Sequence, residues 1–358
     1  MRGRAYVLPV RKASELKPAV RGALLRWFDV NKRDLPWRRT RDAYGIWVSE
    51  VMLQQTQVDR VINYWTRFLA RFPTVRELAA AELKDVLSIW SGLGYYSRAR
   101  NLHRAAQAIV AQYEGALPDS VDALLELPGF GRYTAGAVAS IAFELPAPLV
   151  DGNVARVFAR LLEVEGAPGE RDREKQLWAA AEALVEGDRP GDWNQALMEL
   201  GATVCTPVNP LCLLCPVRAS CGAFANDRVD ELPPPKKAAK RKRLELNVAV
   251  ALRGKDVLLA RKEEKGLFGG LWELPATEGE LSTLLGKRAE IGPELTVLER
   301  TLTHRDLVLR IHPVALPAKL NKPPKGYVEW RWVPRSEVPS LGMSSAMSEV
   351  LKLVVAGS

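Results

Sequence analysis

The 358-residue sequence predicts two domains of different class, a mainly α N-terminal half and an α+β C-terminal half. Three observations carry this. Apolar residues recur at three- and four-residue spacing from about Leu24 to Glu199, period-two apolar runs replace that pattern beyond residue 244, and a proline- and lysine-rich segment separates the two regimes. A chain of this length also exceeds what one hydrophobic core usually serves. The expected boundaries are a helical domain over 1–226, a linker over 227–243 and an α+β domain over 244–358.

Taken in order, Val51, Val58, Ile62, Trp65, Leu69 and Phe72 set an apolar stripe on helical faces. Glycine- and proline-containing breaks are expected at 71–74, 115–119, 128–131 and 146–152. Pro233, Pro234 and Pro235 cannot sit inside a helix, and the six Lys and Arg residues within 236–243 repel one another. This reads as an exposed linker that could equally lie along a nucleic-acid backbone. Strands are expected over 244–252, 257–260, 308–316 and 329–333, and an amphipathic helix over 344–355. No internal repeat is present.

The formal charge of +9 favours a polyanionic partner, because clustered cations gain affinity for phosphates by releasing counterions. No run approaches the roughly 18 apolar residues needed to cross a bilayer, and the N-terminus lacks the apolar core of a signal peptide. A soluble, cytoplasmic, nucleoid-associated monomer with no membrane partner is expected. All four cysteines, Cys205, Cys212, Cys215 and Cys221, fall within 17 residues. Clustering of this kind favours a metal centre over a disulfide framework. Four converging thiolates would repel unless a cation neutralised them, and a tetrahedral zinc site is one answer.

Residues 127–136, Leu-Pro-Gly-Phe-Gly-Arg-Tyr-Thr-Ala-Gly, put Gly129 and Gly131 in a tight turn between apolar helical segments. Glycine at both positions allows positive φ and lets another backbone come close, and the amides opening the following helix would face an anion such as a DNA phosphate. A bare Gly-x-Gly turn serves helix packing as well. This segment, with Asp151 in the run Val-Asp-Gly-Asn-Val-Ala-Arg at 150–156, resembles the helix-hairpin-helix motif and catalytic aspartate of the endonuclease III superfamily of base-excision glycosylases. The cysteine spacing resembles that superfamily's four-iron four-sulfur loop. The resemblance implies a structural 4Fe-4S cluster held by all four thiolates, with Arg218 available to a phosphate.

Residues 47–56, Trp-Val-Ser-Glu-Val-Met-Leu-Gln-Gln-Thr, are similar to the catalytic segment of the MutY-type adenine DNA glycosylases. The likeness implies that Glu50 protonates adenine at N7 and then assists water. A Glu flanked by Trp47, Val51 and Met52 is desolvated, which helps it hold a proton near neutral pH. Asp151 is expected to be better solvated or hydrogen-bonded and to stay ionised, offsetting an oxocarbenium-like sugar, with Asn153 as its partner. The same Asp-Gly-Asn turn could serve as a helix N-cap. Tyr133 stands where bifunctional relatives carry a lysine, so no Schiff base and no efficient β-elimination are expected. The segment Gly92–Arg98 resembles the part of the family whose tyrosine, here Tyr95, wedges into the duplex. Gln55 would help fill the space left by a flipped adenine, and Thr56 closes the same DNA-contacting segment. Trp37, Arg38 and Gln195 match positions lining the adenine pocket.

Residues 266–275, Gly-Leu-Phe-Gly-Gly-Leu-Trp-Glu-Leu-Pro, are similar to the start of the family's Nudix-like C-terminal domain. No run of metal-binding glutamates on a helix follows in 277–288, so recognition of 8-oxoguanine, and not pyrophosphohydrolysis, is expected there. Thr303 and His304 lie where the family has a Phe-Ser-His loop. The Thr303 hydroxyl can accept from the lesion's N7 hydrogen, which guanine lacks, while Leu302 drops the aromatic ring. The expected architecture is thus a helix-hairpin-helix glycosylase domain with an iron-sulfur loop, followed by a Nudix-like domain. The expected substrate is duplex DNA holding adenine opposite 8-oxoguanine or guanine. A thymine-mismatch or oxidised-pyrimidine glycosylase, and a non-catalytic damage-binding protein, are the alternatives.

Overall fold

The computed structural model describes residues 4–235, 241–317, 320 and 322–355, with side chains from Ala13 to Val354. The described residues up to Leu69, those at 74–76 and those from Arg104 to the linker pack as one unit. Residues 70–73, 77–103 and the described residues beyond the linker pack as a second. No helix among the described residues is long and apolar enough to cross a membrane.

The first unit is helical throughout. Its central helix, Ala43–Leu53, starts where the Asp42 carboxylate accepts from the Gly45 amide at 2.7 Å, satisfying a donor that has no partner within the helix. Every residue from Tyr44 to Met52 is buried, so this helix has no polar face and must lie inside the unit. Arg132–Phe143 is likewise buried from Thr134 to Ile141 and packs against it. Close approach is possible because Gly136 has no side chain: a Cβ there would lie 2.0 Å from the Pro148 carbonyl oxygen. Arg4–Asn31, Gly152–Leu162, Arg171–Val185 and Pro190–Thr203 enclose the larger core around Phe28, Phe158, Leu177 and Trp193. Each such side chain contributes about 1.5–3 kcal/mol on burial.

The second unit holds two sheets. In the larger, Lys242–Val250 runs parallel to Arg305–Ala315, with Leu244 opposite Leu307 and Val248 opposite Ile311. Thr296–Thr301 and Glu290–Ile291 pair antiparallel with the far side of Arg305–Ala315, and Ala276–Thr277 edges the first strand. In the smaller sheet Asp256–Lys262 lies between Tyr327–Pro334 and Trp272–Glu273. Ser345–Val355 buries Ala346, Met347, Val350 and Leu351, one helical stripe, on the core of Val248, Leu259, Leu309, Ile311 and Val333.

Three boundary expectations change. The linker is shorter than 227–243: a strand already begins at Lys242, and Leu232 is buried with its carbonyl accepting from Arg160 Nε at 2.8 Å. The basic run 236–240 lies outside the described residues. Residues 77–103 belong with the second unit because Ser91 Oγ and the Tyr96 hydroxyl both donate to the Met343 carbonyl, at 2.8 and 3.0 Å. Arg100 Nη1 adds a bond to the Gly269 carbonyl at 2.7 Å.

Candidate active site

A cleft of about 480 Å³ opens in the helical unit. It gathers nine of the residues singled out above: Trp37, Arg38, Glu50, Gln55, Thr56, Tyr133, Asp151, Asn153 and Gln195. They come from five separate stretches of chain. The Pro36–Arg38 turn forms one wall, the end of the Ala43–Leu53 helix another, and the first turns of the two following site helices close the floor.

Glu50 is 4% exposed, and burial pushes its carboxyl up to about 7. The Tyr133 hydroxyl opposes that rise by donating to Glu50 Oε2 at 2.5 Å; Asp151 adds to it, and Arg38 draws it down. Tyr133 itself is held well above its ordinary value, first by burial and then by the two neighbouring carboxyls, so it stays protonated and acts as donor. Its oxygen also reaches Met198 Sδ at 3.6 Å.

Of the two expectations for Asp151, better solvation or hydrogen bonding, the structure has the second. Burial raises its pKa too, and bonds to its charged form, with the Arg156 charge, oppose that rise. Val154 N donates to Oδ1 at 2.7 Å, capping the Gly152–Leu162 helix, and Asn153 Nδ2 donates to Oδ2 at 3.1 Å. The cap and the site are therefore one feature. Asn153 Oδ1 accepts in turn from Arg156 Nη2 at 2.9 Å, and Arg156 Nε donates to the Cys205 carbonyl at 2.7 Å.

On the opposite wall Trp37 is buried edge-on against Trp65, with ring centroids 6.0 Å apart. Arg33, Met198 and Glu199 also line the cleft, and the sequence reading had not selected them. The available signal was Glu199 itself, an acid amid the apolar residues Ala196, Leu197 and Leu200 on a buried helix. Gln55 is exposed at φ 58°, in the left-handed region that a non-glycine residue adopts only under constraint.

The hairpin glycines stand outside the cleft lining. Gly129 uses the positive φ that glycine allows, at 80°, whereas Gly131, at φ −102°, ψ 175°, is extended backbone capping the Arg132–Phe143 helix. A Cβ on Gly131 would meet nothing within 4 Å, so packing within the chain does not require glycine there. Phe130 between them stacks on Trp47 at 5.2 Å, tying the hairpin to the helix that bears Glu50.

Cys205, Cys212, Cys215 and Cys221 surround a single apolar cavity. Burial pushes the Cys215 thiol up to about 11 and raises Cys212 and Cys221, and the neighbouring thiols add to each rise. Arg160, buried, donates to Cys205 Sγ at 3.4 Å and to the Thr206 carbonyl at 2.7 Å. No three His, Cys, Asp or Glu side chains among the described residues close on a lone ion.

Tyr95, Thr303 and His304 lie in the second unit. Tyr95 is at φ 48°, again left-handed, under the Arg98 guanidinium at 5.5 Å, and its hydroxyl meets that of Thr303. Thr303 and His304 are both exposed.

Known proteins share this plan. Residues 48–183 match the sequence model of HhH-GPD superfamily base excision DNA repair proteins, and residues 247–353 that of the NUDIX domain. Adenine DNA glycosylase of Homo sapiens is 38% identical across 94% of this chain and 74% of its own length. That of Arabidopsis thaliana is 42% identical across 72% of this chain and 47% of its own. A solved thermostable thymine-DNA glycosylase superposes with a TM-score of 0.52 and 29% identity, covering 60% of this chain and 98% of that one.

Proposed function

The chain belongs to the adenine DNA glycosylase family, and on that premise we propose that it flips adenine paired with 8-oxoguanine or guanine into the 480 Å³ cleft and hydrolyses its glycosidic bond without strand cleavage. It is a DNA N-glycosylase of base excision repair, acting on DNA. The observation that carries the finer reading is a carboxyl titrating near 7, anchored by a tyrosine hydroxyl and facing the same cleft as a hydrogen-bonded second carboxyl.

At neutral pH a sizeable share of Glu50 is protonated and can deliver its proton to N7 of the flipped base. Tyr133 fixes the carboxyl's orientation and stabilises the carboxylate left behind, ready to take a proton from water. Asp151, stabilised as an anion by Val154 N and Asn153, offsets the positive charge that grows on the sugar as the bond breaks. Tyr133 leaves the hairpin without an amine, which supports hydrolysis over Schiff-base chemistry. Gln55 and Tyr95, both held in left-handed backbone, are suited to fill the duplex where the base has left. Thr303 offers an exposed hydroxyl to the N7 hydrogen of 8-oxoguanine.

The four cysteines fit the 4Fe-4S cluster that the family implies. All four line one apolar cavity, and burial together with the neighbouring thiols raises the Cys212, Cys215 and Cys221 thiols, so thiolates there need a cation beside them. When bound, the cluster supplies that charge and orders the loop; Arg160 and Arg156 connect the loop to the Gly152–Leu162 helix.

The test is single-turnover release of adenine opposite 8-oxoguanine by wild type and Glu50→Gln, with a thymine mismatch and borohydride trapping alongside. Adenine release lost in the variant, with no trapped adduct, is the expected result. Thymine release alone, or a trapped adduct, overturns the proposal.

A further inference from the structure

One buried charge in the cleft takes no part in the chemistry just described. Glu199 is 0% exposed and lies one helical turn beyond Gln195 on Pro190–Thr203. Its Oε1 accepts from the Arg33 backbone amide at 3.0 Å and from Arg33 Nε at 2.8 Å, and its Oε2 from Arg33 Nη2 at 2.9 Å and Arg38 Nη2 at 2.8 Å. Burial alone would push this carboxyl up; the two guanidiniums overcome that and hold it at about 2, so it is an anion throughout the neutral range.

Both partners come from far away, 166 and 161 residues earlier in the chain. Arg33 precedes and Arg38 ends the short Pro36–Arg38 turn that presents Trp37, a segment with two backbone bonds of its own, from Arg38 N to the Leu35 carbonyl and from Arg39 N to the Pro36 carbonyl. A bidentate Arg–carboxylate contact specifies geometry as well as energy, so Glu199 fixes that wall against the helix bearing Gln195. The charged or titratable groups acting on Glu50 are Tyr133 from one helix, Asp151 from the loop before another, and Arg38 from the turn. Arg38 is the cation of that set, and Glu199, shared between Arg33 and Arg38, offsets part of its charge.

We propose that Glu199 is a positioning residue of the base pocket: it locks Arg38 and the Trp37 turn in place and, by offsetting part of the Arg38 charge, keeps Glu50 a proton donor at neutral pH. This rests on the reading of Glu50 as the acid. Removing the anion leaves Arg38 uncompensated beside Glu50, which favours the carboxylate and lowers its proton affinity.

The experiment is a single-turnover pH profile of adenine release. Activity that needs protonated Glu50 falls on the alkaline side, and in Glu199→Gln this limb should move to lower pH by about half a pH unit or more. A slower rate with an unmoved limb assigns Glu199 a purely structural role and overturns the inference. Should Glu199→Gln not fold, Arg33→Gln serves in its place: it leaves Glu199 wholly to Arg38, the limb should move to higher pH, and an unmoved limb is equally fatal. Wild type separates the two ideas, since no adenine release from it would sink the glycosylase reading itself, whereas normal release with static limbs in the variants sinks this inference alone.

Discussion

A carboxyl that titrates at about 7 in the folded protein and near 4.5 when exposed holds its proton more tightly in the native state. The neutral form is accommodated without penalty below the unfolded value. As pH rises from 4.5 through 7 the native state must either keep the proton or bury an anion, so stability is lost across that window and stays lost above it. At about 1.4 kcal/mol per pH unit the effect reaches roughly 3 kcal/mol. Glu50→Gln, which keeps the shape and removes the titration, should therefore be more stable than wild type at pH 8 and lose most of that advantage near pH 4. Urea unfolding at both values checks this, and an equal difference at both would reject it. Desolvation of Glu50 was legible because its sequence neighbours Trp47, Val51 and Met52 supply the apolar surroundings. That of Asp151 was not, because remote chain encloses it: at Gly201 on the Pro190–Thr203 helix, a Cβ would stand 2.5 Å from Asn153 Cβ. No local pattern announces a neighbour that far away.

Elements long enough to show their period were readable from sequence, and short or exposed ones were not. The strands Lys242–Val250, Asp256–Lys262, Arg305–Ala315 and Tyr327–Pro334 all carry buried residues, on both faces over part of the first three, and leave an alternating or β-branched trace. Thr296–Thr301 is exposed along nearly its whole length, so nothing in its composition alternates, and Ala276–Thr277 and Glu290–Ile291 are too brief to carry a period. Helix contacts depend on the same remote geometry. On propensity alone Gly136→Ala would favour its helix by up to about 1 kcal/mol. The added methyl, however, would sit 2.0 Å from the Pro148 carbonyl oxygen, inside a core that cannot yield easily, and overpacking of this kind costs about 1–3 kcal/mol. Gly136→Ala should lower the urea midpoint, and because the displaced Pro148 segment leads into Asp151, it should slow adenine release as well. A variant as stable as wild type would show that the helices part without cost.

For the whole molecule, the division of labour differs from the division read in the sequence. Composition placed the cut in the linker, yet residues 77–103, with Tyr95 among them, pack and hydrogen-bond with the NUDIX-like part. Hydrophobic periodicity identifies a helix but not the core it joins, which is why this exchange left no sequence trace. Its consequence is that Tyr95 and Thr303, the two residues proposed to read the duplex beside the lesion, belong to one unit, while Glu50 and Asp151 belong to the other. Lesion preference and bond cleavage should then be separable by substitution. Thr303→Ala removes a hydroxyl worth about 1 kcal/mol as a hydrogen-bond acceptor, roughly a fivefold change in rate or affinity. It should narrow the ratio of adenine release opposite 8-oxoguanine to that opposite guanine by about this factor, leaving the guanine reaction and its alkaline limb in place. If both substrates slow equally, Thr303 supports the fold of its loop and does not sense the N7 hydrogen. If neither slows, the NUDIX-like unit reads the lesion through other groups.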